Sequence, residues 1–273
     1  MNGIRSPVLQ SGPEDRDEAV VFLHGNPGSS RDWEDLAGRV GEFGRAIAPD
    51  MPGFGQADKP RDFTYTVQGY AEHLDSMLTA LGVRRAHFVL HDFGGPWGLA
   101  WTAAHTQRVA SLVLINIGVM LGYRWHSVAR IWRTPVLGEL FQATATRRTF
   151  HLSLKRGNPR GLPRSFVDRM YDDFDWGTRR AILKLYRATS HPDRLAEQLA
   201  QVLRPLPLPV LVIWGKQDPY VSVEMAERQR EVFSNVRIVL LDESGHWPFA
   251  DDPERVAAEA VPFLKRHYGA QAR

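Results

Sequence analysis

An aspartate sits where a short apolar run gives way to a pair of glycines, in His91-Asp92-Phe93-Gly94-Gly95. A strand, a tight glycine turn and a helix starting near Pro96 would hold one side chain exposed on a strained turn, the setting of a nucleophile elbow. Serine is the usual occupant, and its alkoxide attacks an acyl carbon. A carboxylate at that point suits displacement at a saturated carbon and leaves an alkyl ester on the protein. Hydrolysing the ester then needs a water, a base and a pocket for the oxyanion. His246, in Glu243-Ser244-Gly245-His246-Trp247, follows the last apolar run and fits the general base. Asp218, in Trp214-Gly215-Lys216-Gln217-Asp218, follows the run before it and fits the acid that orients the base. His24-Gly25-Asn26-Pro27 comes directly after the first long run. Its glycine turn points to the backbone N–H groups of Asn26 and Phe93 as oxyanion donors. The Asn26 side chain is a further candidate, for bonding a leaving group. Taken singly, each residue has an ordinary reading: Asp before Gly forms turns, a loop His is solvated, and Asn favours turns. Their order decides. Nucleophile, acid and histidine appear in the sequence this architecture demands, each at a strand's carboxyl end.

The elements that must position them are readable from hydrophobic patterning. Apolar, β-branched runs recur at residues 19–23, 46–48, 87–90, 111–115, 210–213 and 236–241. Such runs read as strands buried on both faces. Between them, residues 67–81 place Val67, Tyr70, Leu74, Met77, Leu78 and Leu81 at helical spacing, closed by Gly82. Residues 94–105 and 252–266 read the same way. The alternation predicts an α/β fold with a mostly parallel, doubly wound sheet. The beat breaks once, from about Gly118 to Pro205, where only helical stretches appear. This predicts a core of residues 1–118 and 206–273, with a helical cap, 119–205, inserted between two core strands. No internal repeat or low-complexity tract is visible.

Composition narrows the function classes. The 273 residues are 43% hydrophobic, 24% charged and 10% aromatic, and contain no cysteine. Disulfides, thiolate metal sites and a cysteine nucleophile are thereby excluded. No apolar run approaches the ~18 residues a membrane span needs, and the first residues lack a secretory signal pattern. The expectation is a cytoplasmic protein without a membrane partner. Net charge is +3, but residues 119–205 hold 16 Lys/Arg against 7 Asp/Glu. The arginines stand among apolar residues at helical spacing and no nucleic-acid motif accompanies them, so they read as a solvated helical face rather than a nucleic-acid site. Gly53-Phe54-Gly55 lacks the third glycine of a dinucleotide fingerprint, since Asp58 stands there. The ten histidines show no HExxH-like pairing. No metal and no cofactor are expected, and the oligomeric state is not readable.

The series His24-Gly25-Asn26-Pro27, Asp50-Met51-Pro52-Gly53-Phe54-Gly55, His91-Asp92-Phe93-Gly94-Gly95, Gly215-Lys216-Gln217-Asp218 and Gly245-His246 resembles the motifs of the α/β-hydrolase superfamily. It covers the chain from about residue 19 to 268. The aspartate at the elbow resembles the branch that holds epoxide hydrolases and haloalkane dehalogenases. For the dehalogenases, the asparagine of the His-Gly-Asn-Pro motif matches a halide ligand, at Asn26. Against them, Phe93 stands where they carry a tryptophan, and Asn116 is not the acid that some of them place after that strand. For the epoxide hydrolases, residues 177–187 resemble the cap helix whose Tyr-Arg pair presents a ring-opening tyrosine. The resemblance therefore assigns Tyr186 as proton donor to the epoxide oxygen. The first cap tyrosine of those enzymes has no clear match; Tyr123, Trp125, His126 and Tyr171 are the substitutes on offer. Trp125, His126 and Trp247 are expected to line the substrate pocket. Leu90 departs from the small residue usual before the nucleophile, and the N-terminus is too short for the usual two opening strands. The resemblance implies hydrolysis of a small, apolar to moderately polar substrate by water, most simply an epoxide to a vicinal diol. Carbon–halide hydrolysis is the first rival, and a non-catalytic ligand-binding member of the fold is the second.

Overall fold

The computed structural model describes residues 3–270. Seven strands form one sheet: β1 (Val8–Ser11), β2 (Glu18–Leu23), β3 (Arg45–Pro49), β4 (Arg85–His91), β5 (Val109–Ile115), β6 (Val210–Gly215) and β7 (Val236–Leu241). Their spatial order is β1-β3-β2-β4-β5-β6-β7. All six strands read from the apolar runs are present and parallel. The opening of the chain supplies one more, β1, which pairs antiparallel with β3. It has no apolar alternation to announce it, because all four of its residues are only half-buried.

Helices cover both faces. One face packs Val20, Phe22, Val113 and Ile213 against α1 (Glu34–Gly41) and α12 (Pro253–His267), the latter preceded by α11 (Pro248–Asp251). The other packs Val21, Leu23, Phe88, Leu114 and Val212 against α2 (Val67–Ala80), α3 (Gly94–Ala104) and α10 (Glu224–Glu227). Alternate residues of one strand thus serve two cores, which is why the runs read as continuously apolar. α2 starts at Thr66, whose hydroxyl accepts the Gly69 N–H at 3.0 Å, a side-chain cap for one of the donors a helix start leaves free. Between β5 and β6 the described chain is helical: α4 (Ser127–Arg133), α5 (Leu137–Ala143), α6 (Arg147–Arg156), α7 (Arg164–Asp172), α8 (Trp176–Ala188) and α9 (Pro192–Leu203).

Register brings the strand ends together. Leu23 pairs with Leu90, His91 with Ile115, Ile115 with Ile213 and Gly215 with Leu241. The loops after β2, β4, β5, β6 and β7 therefore emerge along one rim. The strand order reverses beside β2, where the chain leaves for β3 on one side and returns to β4 on the other. Such a reversal opens a crevice at the carboxyl ends of the strands, and Asn26 and Asp92 lie at that point.

Candidate active site

Asp92 is the first residue beyond β4 and adopts φ +47°, in the left-handed region that non-glycine residues rarely occupy. Such backbone strain is characteristic of functional positions. The turn is possible because the loop after β2 runs past it without side-chain bulk. A Cβ on Gly25 would come within 2.3 Å of the Asp92 Cβ. Leu90, larger than the residue usual there, is accommodated one helical turn later: a Cβ on Gly98 would lie 2.5 Å from its methyl carbon.

The carboxylate faces two partners. Its Oδ1 accepts the backbone N–H of Asn26 at 2.6 Å, and its Oδ2 lies 3.6 Å from Nε2 of His246. The second distance is that of an ion pair, too long for a hydrogen bond. On its other side His246 bonds through Nδ1 to Oδ2 of Asp218 at 2.6 Å. The predicted trio thus comes together in the predicted order. Asp218 is itself held on all sides. Its Oδ1 accepts the N–H groups of Tyr220 and Val221, at 2.8 and 3.1 Å, and its Oδ2 accepts the Asn116 amide at 2.8 Å. Asn116, at φ +48° after β5, also accepts the Gly215 N–H through Oδ1. The residue that sequence comparison marked only as a missing acid is a clamp on the acid that is present.

Charge follows geometry. Burial works to raise the Asp92 carboxyl, but His246 and the Asn26 N–H outweigh it and hold the group below its ordinary value. Burial also opposes a charged His246, yet Asp218 and Asp92 together lift the imidazolium to about 10. The resting site is therefore a carboxylate–imidazolium pair at neutral pH. His91 lies beside His246, its ring tilted 53° to it, and is pushed down to about 3, by burial and then by the neighbouring imidazolium. It stays neutral and donates from Nε2 to the backbone carbonyl of His246 at 2.8 Å. A neutral ring there steadies the loop without adding a competing charge.

Tyr186, the predicted proton donor on α8, reaches the turn after β2. Its hydroxyl accepts the Asn26 side-chain amide at 3.3 Å. Burial, reinforced by the Asp92 charge, raises its phenol well above the ordinary value, so it remains a protonated donor. Asn26 thus contributes both its backbone and its amide, the latter to Tyr186 rather than to empty space. Two cavities meet at Asp92. A smaller one, about 70 Å³, runs past Phe93, Trp125 and Tyr123 toward Leu195 and Leu199 of α9. A larger one, about 350 Å³, runs past Asn26, His246 and Trp247 toward Trp132, Phe141 and Phe150. Asp92, His126, Tyr186 and Tyr220 line both. His126 accepts the Ala129 N–H through Nδ1 at 3.2 Å and is kept neutral by burial, its pKa pushed down to about 4. Tyr171, the remaining substitute for the first cap tyrosine, lines neither cavity and meets Phe150 edge-on instead.

Sequence reasoning missed the residues that tie the helical insertion to the histidine loop. The backbone N–H of His246 donates to the carbonyl of Gly157 at 3.2 Å, and that of Trp247 to Oδ1 of Asn158 at 3.2 Å. Asn158, fully buried, also donates to the Leu154 carbonyl at the end of α6. The Gly157-Asn158-Pro159 punctuation was visible in the sequence, but only as a break between helices. Among the described residues no group of three His, Asp or Glu side chains could hold a metal ion.

Comparison with known proteins agrees with this architecture. A family model described as the alpha/beta hydrolase fold matches residues 18–253. The cis-3-alkyl-4-alkyloxetan-2-one decarboxylase of Xanthomonas campestris pv. campestris is 28% identical across 97% of this chain and 94% of its own. A haloalkane dehalogenase of Mesorhizobium japonicum is 34% identical over 56% of this chain and 49% of its own. Among solved structures, the ligand-free epoxide hydrolase CorEH superposes with a TM-score of 0.81 at 20% identity, over 97% of this chain and 96% of that one.

Proposed function

Because the chain belongs to the α/β-hydrolase fold family, we propose that it is a hydrolase working through Asp92 and a covalent alkyl ester, and that it opens an epoxide to a vicinal diol. The observation that carries this reading is the meeting of a strained, charged carboxylate with a buried, protonated phenol. Asp92 Oδ1 is held by the Asn26 N–H, which leaves Oδ2 to attack a ring carbon. The carbon–oxygen bond breaks as Tyr186 gives its proton to the departing oxygen. The resulting ester carries its carbonyl at Oδ1, already beside the Asn26 N–H, where an oxyanion is stabilised by the donors of Asn26 and Phe93. Esterification also abolishes the Asp92 charge, one of the causes that raise His246. The imidazolium then gives up its Nε2 proton more readily, restoring the Tyr186 phenol, and the neutral ring becomes a base for water, with Asp218 holding its Nδ1–H. As His246 takes one proton of the water, the hydroxide adds to the ester carbonyl; the departing alkoxide takes the remaining acid proton to give the diol, leaving Asp92 as carboxylate and His246 as imidazolium. The helices between β5 and β6 act as the cap: they supply Tyr186 and close the cavities over Asp92.

A second reading, release of halide from a haloalkane, is favoured by one observation. The indole N–H of Trp125 is buried without a partner in the wall of the smaller cavity, as a halide donor would be before its ligand arrives. Phe93, which stacks on that indole, offers no side-chain N–H of its own. Both readings share Asp92 and His246, so the test is the leaving group. A panel of epoxides, bromoalkanes and 3,4-dialkyl oxetan-2-ones, scored for diol, bromide and carbon dioxide, is expected to give diol. Bromide release with inert epoxides would replace the first reading by the second. Consumption of no member of the panel would leave only a binding role.

A further inference from the structure

The excess of positive charge in residues 119–205 has no task in the chemistry above, and the sequence reading left it as a solvated face with no membrane partner. The structure adds a second property to the same segment. Among the described residues, the strongly exposed large apolar side chains are Val136, Leu137, Leu140, Phe141, Leu152, Trp176, Val202 and Leu240, and only Leu240 lies outside this segment. Four of them crowd onto α5 and the residue before it. Val136 is 69% exposed, Leu137 48% and Leu140 60%. A patch of that kind on an otherwise polar surface marks a place where something docks.

Val136 makes the case sharper. It has φ +66° and ψ −50°, and the Leu137 N–H donates across it to the Pro135 carbonyl at 2.8 Å. This is the rare, strained form of the γ-turn, with a β-branched residue at its centre. The residue is 69% exposed, so burial within the fold gives the strain little compensation. Exposed cations surround the patch. Arg130 stands on α4, which packs on α5, and Arg148, Lys155 and Arg156 stand on α6, which follows it. Their neighbours Arg147 and Arg187 are neutralised by Asp168, Asp172 and Glu139. Those four have no acidic partner within ion-pair distance among the described residues. An apolar crest ringed by free cations is complementary to one kind of partner, an anionic lipid surface.

Position relates the patch to the site. The exposed residues that line the larger cavity are Phe141, Thr144, Thr149 and Ser153, so its mouth lies between α5 and α6. We propose that the α5 crest and its ring of cations dock on an anionic lipid surface, placing the mouth of the larger cavity against the bilayer so that apolar substrate enters from lipid. Docking itself does not depend on which bond Asp92 breaks.

The test is sedimentation of the full chain with phosphatidylcholine vesicles, with and without phosphatidylglycerol. Binding is expected only to the anionic vesicles and is expected to disappear at high salt. Leu137→Ser with Leu140→Ser should abolish it. Arg130→Glu and Arg148→Glu should each weaken it by roughly fivefold or more, since each basic residue near the surface contributes comparably. Turnover of a short, water-soluble epoxide should be unchanged in these variants, while turnover of a long-chain epoxide dissolved in the vesicles should fall. Absence of binding to anionic vesicles at low salt overturns the proposal. So does a concentration-dependent dimer that the two serines dissolve, because the crest would then belong to a second copy of the chain. Inert epoxides with intact vesicle binding would count against the proposed reaction and leave the docking surface standing.

Discussion

On the proposed mechanism, Asp92 must be charged when it attacks and neutral, as an ester, when water attacks it. The two half-reactions therefore ask for opposite states of His246. In the first step the imidazolium only accompanies the carboxylate; in the second, a neutral ring must take a proton from water. Asp92→Ala should abolish turnover without unfolding the protein, since what it removes beyond the Cβ is the carboxylate and its two local contacts, with the Asn26 N–H and with His246. His246→Gln should leave alkylation running and slow ester hydrolysis by about 10²-fold or more, the usual worth of a positioned base. Mass spectrometry of the intact variant should then show the protein heavier by one substrate, with the adduct mapped to the peptide containing Asp92. An inactive variant without adduct would mean that His246 acts in the first step. The pH dependence separates the same steps. Alkylation should be flat between about pH 6 and 9, because an Asp held below its ordinary value of ~3.9 is ionised throughout. Ester hydrolysis should rise with pH, with a midpoint below the resting value of about 10, because the ester no longer supports the imidazolium. Rapid-quench rates across that range decide it. Residue types and order made Asp92, Asp218 and His246 legible in the sequence. Asn116 was not legible, because an amide that clamps an acid looks in sequence like an acid replaced.

At the scale of elements, the site is a row of strand ends, and that row is why so much of it could be read. A parallel strand buried on both faces announces itself as an apolar run, and the residue after it falls on the rim. β1 escaped because an edge strand with half-buried residues carries no such run. The helical insertion was legible as a break in the beat, but its contacts with the core were not. Those contacts join residues far apart in sequence, as Asn158 and Trp247 are, and no local period reports them. Asn158 shows what such a contact does. Its side chain links the last turn of α6 to the loop that carries His246, so the helices would hold the proposed base in place. Asn158→Ala would orphan the Trp247 N–H, while the Leu154 carbonyl keeps the bond it accepts from the Gly157 N–H. A buried unpaired group costs about 1–3 kcal/mol, so thermal unfolding should shift downward by that order. Ester hydrolysis should slow with alkylation nearly intact, a split that general destabilisation would not produce.

At the scale of the molecule, the core and the helices enclose a space that is divided at Asp92. The cavities of about 70 and 350 Å³ share Asp92, His126, Tyr186 and Tyr220 and diverge from there. A substrate whose reacting carbon sits at Asp92 must send one substituent each way. A terminal epoxide fills one cavity and leaves the other to water or empty, forfeiting the favourable burial of apolar surface, ~0.8 kcal/mol per methylene. The smaller cavity, about 70 Å³, takes only a short arm, whereas the larger, about 350 Å³, accepts a chain several times longer. Internal epoxides with one short and one long alkyl arm should therefore surpass both terminal and symmetric long-armed ones in kcat/KM. Leu195, half-buried on α9, forms the far wall of the smaller cavity. Leu195→Ala should lengthen the short arm that is tolerated by one or two carbons while leaving the long-arm preference and the rate with the best short-armed substrate nearly unchanged. Adduct formation in the His246→Gln background gives the cleanest readout, because it isolates the step in which both arms must fit. Equal adduct rates for terminal and internal substrates, or a Leu195→Ala profile identical to that of the parent, would show that only one cavity receives substrate. The smaller one would then hold nothing but the water that His246 activates.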